Sequence, residues 1–314
     1  MWKSKGKTKA VALQKKKPMS KNLIMFILFC CVVPIINWLV FYVYVNLSSF
    51  YLAFLDIKGN LSFVNFERFY RELTNETSNI RLAFRNTLLT FAIGTIYFPI
   101  QVLVSYFIYK KVPGSGLWRI LFFLPKILFS VASAMVIMRI LSVRGFVAQG
   151  VKELLNLSQV PDLLSDSTYA NTTVLVHLFW MSFPGDLIIW GGTFARIPED
   201  VLEAGKIDGV TWWQEFTKII IPIVWPTFAL QFVLRFCGLF GATGDVFLLT
   251  GGEFGTMTLS CWMFLEVLGA TGEGHTNVAF AYLSAVGMVL TVISVTISLL
   301  IRRWTDKVFN DVEY

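Results

Sequence analysis

Charge is what this chain has least of. Asp, Glu, Lys and Arg make up 15% of its 314 residues, against about a quarter in a typical soluble domain. That shortage speaks against a surface turned wholly to water. Histidine occurs only at His177 and His275, too few for a zinc enzyme or an imidazole-based catalytic site. The four cysteines, Cys30, Cys31, Cys237 and Cys261, sit among apolar residues without metal-ligand spacing. They read as small hydrophobes rather than disulfides or ligands. No G-x-x-x-x-G-K-[ST] run occurs, so the chain carries no phosphate loop of its own. A convergent set of nucleophile, base and metal ligands is also lacking, which disfavours a membrane enzyme. No acidic residue precedes Asp56.

What the chain has instead is apolar and aromatic bulk: 55% hydrophobic residues, with 29 Phe and 10 Trp. That mixture suits lipid-facing surfaces and interfacial belts. Six apolar stretches, at about 23–45, 88–109, 118–140, 172–195, 226–249 and 278–301, are long enough to span a bilayer at ~1.5 Å per residue. The first is too long for a signal peptide and no small-residue cleavage site follows it. The expected fold is therefore all-α and polytopic, with six transmembrane helices. No internal repeat is evident, and paired broken spans in two halves, the mark of many secondary transporters, are not seen.

Charge is also uneven. Eight lysines lie in the first 21 residues. They fit a nucleic-acid-binding arm or a cytoplasmic tail against anionic lipid, and the apolar run behind them favours the tail, with no nucleic acid as partner. With the N-terminus inside, 17 Lys and Arg fall in the inside pieces and 7 in the outside pieces, as the positive-inside rule requires. Both termini are then cytoplasmic. The expected organisation is a basic tail (1–22), a first span with an outside loop (23–87), a core (88–303) containing a cytoplasmic loop at 196–225, and a C-terminal tail (304–314). Within 141–171, Val151–Leu157 reads as a short surface helix.

The loop between the fourth and fifth spans is the informative stretch. Pro198 suits a helix start, and Glu199 and Asp200 complement the positive end of its dipole. Gly209 can end that helix in a left-handed conformation. Thr211 with Gln214 forms a capping box for a second helix, on which Trp212, Phe216 and Ile220 share one face. Pro222 and Pro226 are expected to separate it from the next span. Glu199, Glu203 and Lys206 line one stripe of the first helix. Ala204 and Gly205, almost without side chains, would let another protein's surface approach.

This loop resembles the signature loop of the permease subunits of bacterial ABC importers, whose pattern is Glu-Ala-Ala, three residues, Gly, nine residues, Ile, one residue, Leu-Pro. Here Glu203-Ala204-Gly205 is followed by three residues and Gly209, then nine residues, Ile219, one residue, and Ile221-Pro222. Gly205 and Ile221 depart from the pattern by small changes in size. Asp208-Gly209-Val210 with Trp212–Phe216 resembles the carbohydrate-type version, of the maltose and multiple-sugar kind. Asp245–Gly252 is similar to that group's outside motif, with Glu253 in place of a usual Pro, and Phe122–Pro125 also fits. The resemblance covers about residues 85–303.

The resemblance implies a type I ABC importer fold in which the loop is a coupling helix and Glu199, Glu203, Ala204, Gly205, Asp208, Gly209 and Pro222 meet an ATPase. It implies a second permease subunit, two cytoplasmic ATPase subunits that bind the ATP and magnesium, and an extracellular solute-binding protein. This chain itself would be non-catalytic, with no cofactor, and would work by alternating access. Polar groups inside spans are costly and face a water path or a partner; Asn37, Gln101, Asp186, Gln231 and Arg235 are the candidates for the solute path. Asp186 and Arg235 can equally pair with each other. Among aromatic faces for a sugar, Trp180, Trp190, Trp262 and Tyr282 qualify, each also fitting a belt or core role. Arg235 leaves room for an acidic cargo. A permease for a non-sugar solute is the alternative, then a secondary transporter.

Overall fold

The computed structural model describes residues 20–127, 130–241, 244–273 and 276–308. The lysine-rich tail before residue 20, His275 and the last six residues of the C-terminal tail lie outside them. Among the described residues every regular element is a helix. Five helices are long and apolar enough to cross a membrane, and a sixth span is possible if one bent pair counts as one.

The first span belongs to a compact unit of its own, which ends at Tyr51. α1 (Lys21–Trp38) passes through a π-helical segment, Leu39–Tyr44, into α2 (Val45–Ala53). It outlasts the expected end at residue 45, because Asn46, Ser48 and Ser49 return their polar groups to the helix backbone: Asn46 donates to the Tyr42 carbonyl (2.5 Å), and the two serine hydroxyls to that of Val45 (2.8 and 2.9 Å).

The remainder, from Leu52, begins with a small cap. Asp56 accepts from the backbone N–H of Lys58 and Asn60, each at 2.8 Å, in a turn closed by Gly59 at φ +80°. Buried Asn65, on α3 (Val64–Thr74), donates to the carbonyls of Ala53 and Leu55. α4 (Asn79–Tyr109) starts from Ser78, whose hydroxyl caps Ile80 N–H.

The third apolar stretch is covered by α5 (Ser115–Ile127) and α6 (Ser130–Leu141), on either side of residues 128–129. α6 is bent by 41° from α7 (Phe146–Leu154). Gly145 makes the bend, since a Cβ there would stand 1.9 Å from the Ile140 carbonyl oxygen. The short helix expected at Val151–Leu157 thus begins and ends earlier.

α8 (Ala170–Phe194) is the fourth span. α9 (Glu199–Ile207) and α10 (Trp212–Gln214) follow. A π-helical turn, Glu215–Ile220, then carries the chain directly into α11 (Ile221–Cys237). This corrects two expectations: Pro222 and Pro226 do not separate a loop helix from the span, and the fifth span runs Trp212–Cys237 rather than 226–249. The π turn supplies the reason. Ile221 N–H donates to the Phe216 carbonyl, five residues back, so the widened register is in place just before Pro222, which cannot donate. Beyond a break come α12 (Gly244–Thr250), α13 (Leu259–Glu273) and α14 (Thr276–Val308).

Three buried clusters hold these helices. One joins α4, α8, α9 and α11 through Phe98, Tyr106, Trp190, Phe194, Leu202, Phe216, Ile220 and Val224. A second joins α3, α4, α13 and α14 around Ile80, Leu259, Trp262, Tyr282 and Val286. The third joins α6, α8, α12 and α13 around Val174, Val246 and Cys261. Within lipid such contacts act through close packing and buried hydrogen bonds, since tails are as apolar as the helices. Members outside the spans, Leu202 among them, also gain from leaving water, by about 1.5–3 kcal/mol each.

Candidate functional site

The signature loop folds as two short helices around one glycine. Pro198 sits in extended backbone just before α9, and Glu199 and Asp200 occupy its first turn. At the other end Gly209, at φ +71°, closes a Schellman motif. Val210 N–H donates to the Gly205 carbonyl (3.0 Å) and Gly209 N–H to that of Lys206 (3.1 Å). Thr211 then caps α10 reciprocally: Gln214 N–H donates to the Thr211 hydroxyl (3.4 Å), and Thr211 N–H to Gln214 Oε1 (3.0 Å). The capping box and the left-handed glycine are where the sequence places them.

α9 has two unlike faces. Leu202 and Gly205 are buried, whereas Glu199, Glu203, Ala204, Lys206 and Asp208 are exposed. Gly205 therefore does not open the surface to another protein, as its small size suggested. A Cβ at Gly205 would lie 3.0 Å from Ile219 Cδ1, so its smallness lets α9 lie against the π turn of its own chain. Ala204 alone of the two small residues is on the outer face. Trp212 also departs from expectation: it is half exposed while Phe216 and Ile220 are buried, because the π turn breaks the four-residue stripe they would share in an α-helix. Its ring packs on Phe107, with centroids 5.4 Å apart. Pro222 lies inside the continuous helix, just past the π turn.

An ion pair that sequence reasoning missed lies under this loop. Lys110, at the end of α4, meets the carboxylate of Glu215, the first residue of the π turn. Glu215 is buried. Lys110 Nζ also stands 5.8 Å from the centre of the Tyr106 ring. No local periodicity relates residues 105 positions apart.

Farther along the same helix, Arg235 sits in a seam between α4, α8 and α11. Its Nη1 donates to the Gly94 carbonyl (2.8 Å), and its Nη2 to Gln101 Oε1 (3.2 Å). Nη2 is 3.7 Å from Asp186 Oδ2, and the guanidinium covers the Phe98 ring at 4.8 Å. Gln101 in turn donates to the Ser182 hydroxyl. The structure thus gathers three of the sequence candidates, Gln101, Asp186 and Arg235, and adds Ser182. Gly94 lies midway along α4 and Gln101 two turns further on. A cavity of about 240 Å³ opens beside it, lined by Gly94, Tyr97, Gln101, Phe179, Ser182 and Arg235 among others. Gln231 is half-buried one turn before Arg235 on the same stripe. Asn37 lies on α1. Trp262 and Tyr282 pack edge to face inside the α13–α14 core, and Trp190 is fully buried, so all three serve the core. Trp180 lines a groove with Tyr169 and His177.

The turn that follows the Asp245–Gly252 motif is held by α4. Asn86 donates to the carbonyls of Gly255 (2.6 Å) and Met257 (2.9 Å), and the Thr87 hydroxyl accepts from Leu259 N–H (2.9 Å). Gly252, at φ +82°, is required twice over, since a Cβ there would also come within 2.8 Å of Met257 Sδ. Asp245, the motif's first residue, stands 4.0 Å from His177 Nε2.

Comparison with known proteins gives a consistent result. Residues 77–309 match the family described as "Binding-protein-dependent transport system inner membrane component". The chain is similar to the osmoprotective compounds uptake permease protein GgtC of a Synechocystis species, 26% identical over 78% of this chain and 90% of that one. It is similar to the multiple sugar-binding transport system permease protein MsmF of Streptococcus mutans, 21% identical over 88% and 93%. It is 31% identical to the maltose/maltodextrin transport system permease protein MalF of Vibrio cholerae, over 51% of this chain and only 30% of that longer one. Among solved structures, a chain of a bacterial ABC transporter involved in import of the acidic polysaccharide alginate superposes with a TM-score of 0.73 at 20% identity, covering 90% of this chain and 96% of that one.

Proposed function

The chain belongs to the family of binding-protein-dependent transport system inner membrane components, and from that premise we propose that it forms half of the translocation path of an ATP-driven carbohydrate importer. The observation that carries this reading is the build of α9. Its inner face is locked to the spans by Gly205, Leu202 and Ile219, while Glu199, Glu203, Lys206 and Asp208 stand free on the outer face. A helix so held can receive a push from a partner and pass it on. The partners are two cytoplasmic ATPase subunits that bind ATP and magnesium, a second permease subunit across the path, and an extracellular binding protein that delivers the solute. The face carrying α9 is cytoplasmic, as are both termini, in keeping with the excess of Lys and Arg on that side. ATP-driven approach of the two ATPases draws the docking helices together and switches the path between inward and outward opening.

A sugar as cargo is supported by the loop's Trp212–Phe216 stretch and by the names of two of the relatives. An acidic cargo is not called for by Arg235, whose charge already meets Asp186 within the same subunit. The test is reconstitution in proteoliposomes with the partner subunits and the binding protein. ATP-dependent uptake, and stimulation of ATPase activity, are expected with a mono- or oligosaccharide. Stimulation by amino acids or peptides and by no sugar would overturn the cargo; uptake without ATPase subunits would overturn the importer.

A further inference from the structure

Two charged contacts join α4 to the single helix that runs from Trp212 to Cys237. Arg235 holds the Gly94 carbonyl and Gln101. At the loop end Glu215 holds Lys110. We propose that Lys110 and Glu215 are a positioning pair, which makes α4 move as one body with the docking loop and so carries the loop's displacement to the cavity between α4, α8 and α11. The inference rests on the reading of α9 as the docking helix.

Three features argue for transmission rather than mere cohesion. First, the contact between α4 and the π turn is already apolar: Tyr106 packs on Phe216, with centroids 5.1 Å apart, and Trp212 on Phe107. Cohesion does not require a buried charge there, and apolar residues of similar volume hold helices as well as a buried ion pair does. An ion pair adds one preferred register, because sliding by a turn would leave Glu215 buried without its cation. Second, Glu215 opens the π turn, and π turns mark places where a helix departs from its regular ladder. The residue just after the docking helices is thus fixed to a neighbour where the helix is least regular. Third, α9 is tied to the same turn by Gly205 against Ile219. The path from α9 through Ile219 and Glu215 to Lys110 is continuous, and α4 continues it to Gln101 and the cavity.

The experiment uses the complete complex in proteoliposomes and measures solute carried per ATP hydrolysed. Variants are Glu215→Gln, Lys110→Met and the exchange Lys110→Glu with Glu215→Lys. Each single change should lower the ratio about fivefold or more, and the exchange should return it to within about twofold of the original, as expected of a directly coupled pair. If a single variant fails to assemble, the exchange must restore both assembly and the ratio. Singles with a normal ratio overturn the proposal, and so does an exchange as defective as the singles. A Gly209→Pro complex distinguishes the underlying reading: normal solute-stimulated ATPase activity there would remove the docking loop itself from the mechanism, whatever the pair does.

Discussion

Gly205 and Ile219 meet so closely that a single added methyl group would bring a Cβ to 3.0 Å from Ile219 Cδ1. The obstructing atom is the far end of an isoleucine side chain, which can shift by a few tenths of an ångström. Gly205→Ala should therefore be tolerated, with transport close to normal, because alanine also gains up to about 1 kcal/mol of helix propensity over glycine. Gly205→Leu cannot be absorbed. Overpacking of this kind costs about 1–3 kcal/mol, and here it lifts α9 from the spans. Transport by Gly205→Leu is expected to fall at least about tenfold, 1.4 kcal/mol being one decade, with the complex still in the membrane. Equal defects in the two variants would mean that the contact with Ile219 is not what positions α9.

Gly209 isolates a backbone effect. Its φ is +71°, and a Cβ there would meet nothing within 4 Å, so substitutions differ only in how well they accept a left-handed conformation. Asparagine accepts it readily; a β-branched residue pays about 1–2 kcal/mol or more. Solute-stimulated ATPase activity should fall in the order Gly, Asn, Ala, Val, with Pro last because its ring forbids positive φ. Activity of Gly209→Val above Gly209→Asn would contradict a Schellman turn at this site.

Orientation is open to direct labelling. Positions Glu76, before α4, and Ile207, at the end of α9, are both highly exposed and lie at opposite ends of the spans. In a background without the native cysteines, Glu76→Cys should react with an impermeant thiol reagent added to intact cells, and Ile207→Cys only after lysis. The reverse result would place the docking loop outside and end the ATPase reading.

The local chemistry of the loop was legible because it depends on near neighbours: a proline start, a glycine with positive φ, a threonine and glutamine three apart. What was not legible depends on chain segments that meet only in the fold. Lys110 and Glu215 are a pair only once α4 lies against the π turn. Gly205 read as an opening toward a partner because nothing local shows that Ile219 fills the space. Pro222 and Pro226 read as a break because proline normally ends an α-helix, and a π turn has no signature in residue spacing. Arg235 and Asp186 were legible as costly charges inside spans, though the Gly94 carbonyl that accepts from Arg235 was not. Trp262 was read toward the path from its aromatic face alone, which suits a core equally well.

Arg235 permits a test of whether the seam around it serves the bundle or the cargo. Its guanidinium is engaged by the Gly94 carbonyl, Gln101, Asp186 and the Phe98 ring, so both terminal nitrogens have partners within one subunit. Arg235→Gln removes these contacts and leaves Asp186 buried with only Lys126 nearby to balance it. Breaking a buried pair from one side costs about 3–5 kcal/mol. Asp186→Asn is milder, since Arg235 keeps its hydrogen bonds to α4. The yield of intact complex should therefore fall most in Arg235→Gln, less in Asp186→Asn, and recover in the double variant, where neither member of the buried pair is left charged without the other. Co-purification of the second permease and thermal stability in detergent report this order. If Arg235→Gln instead gives normal yield and stability while uptake is lost, the arginine acts on the solute, and the seam is part of the path rather than of the scaffold.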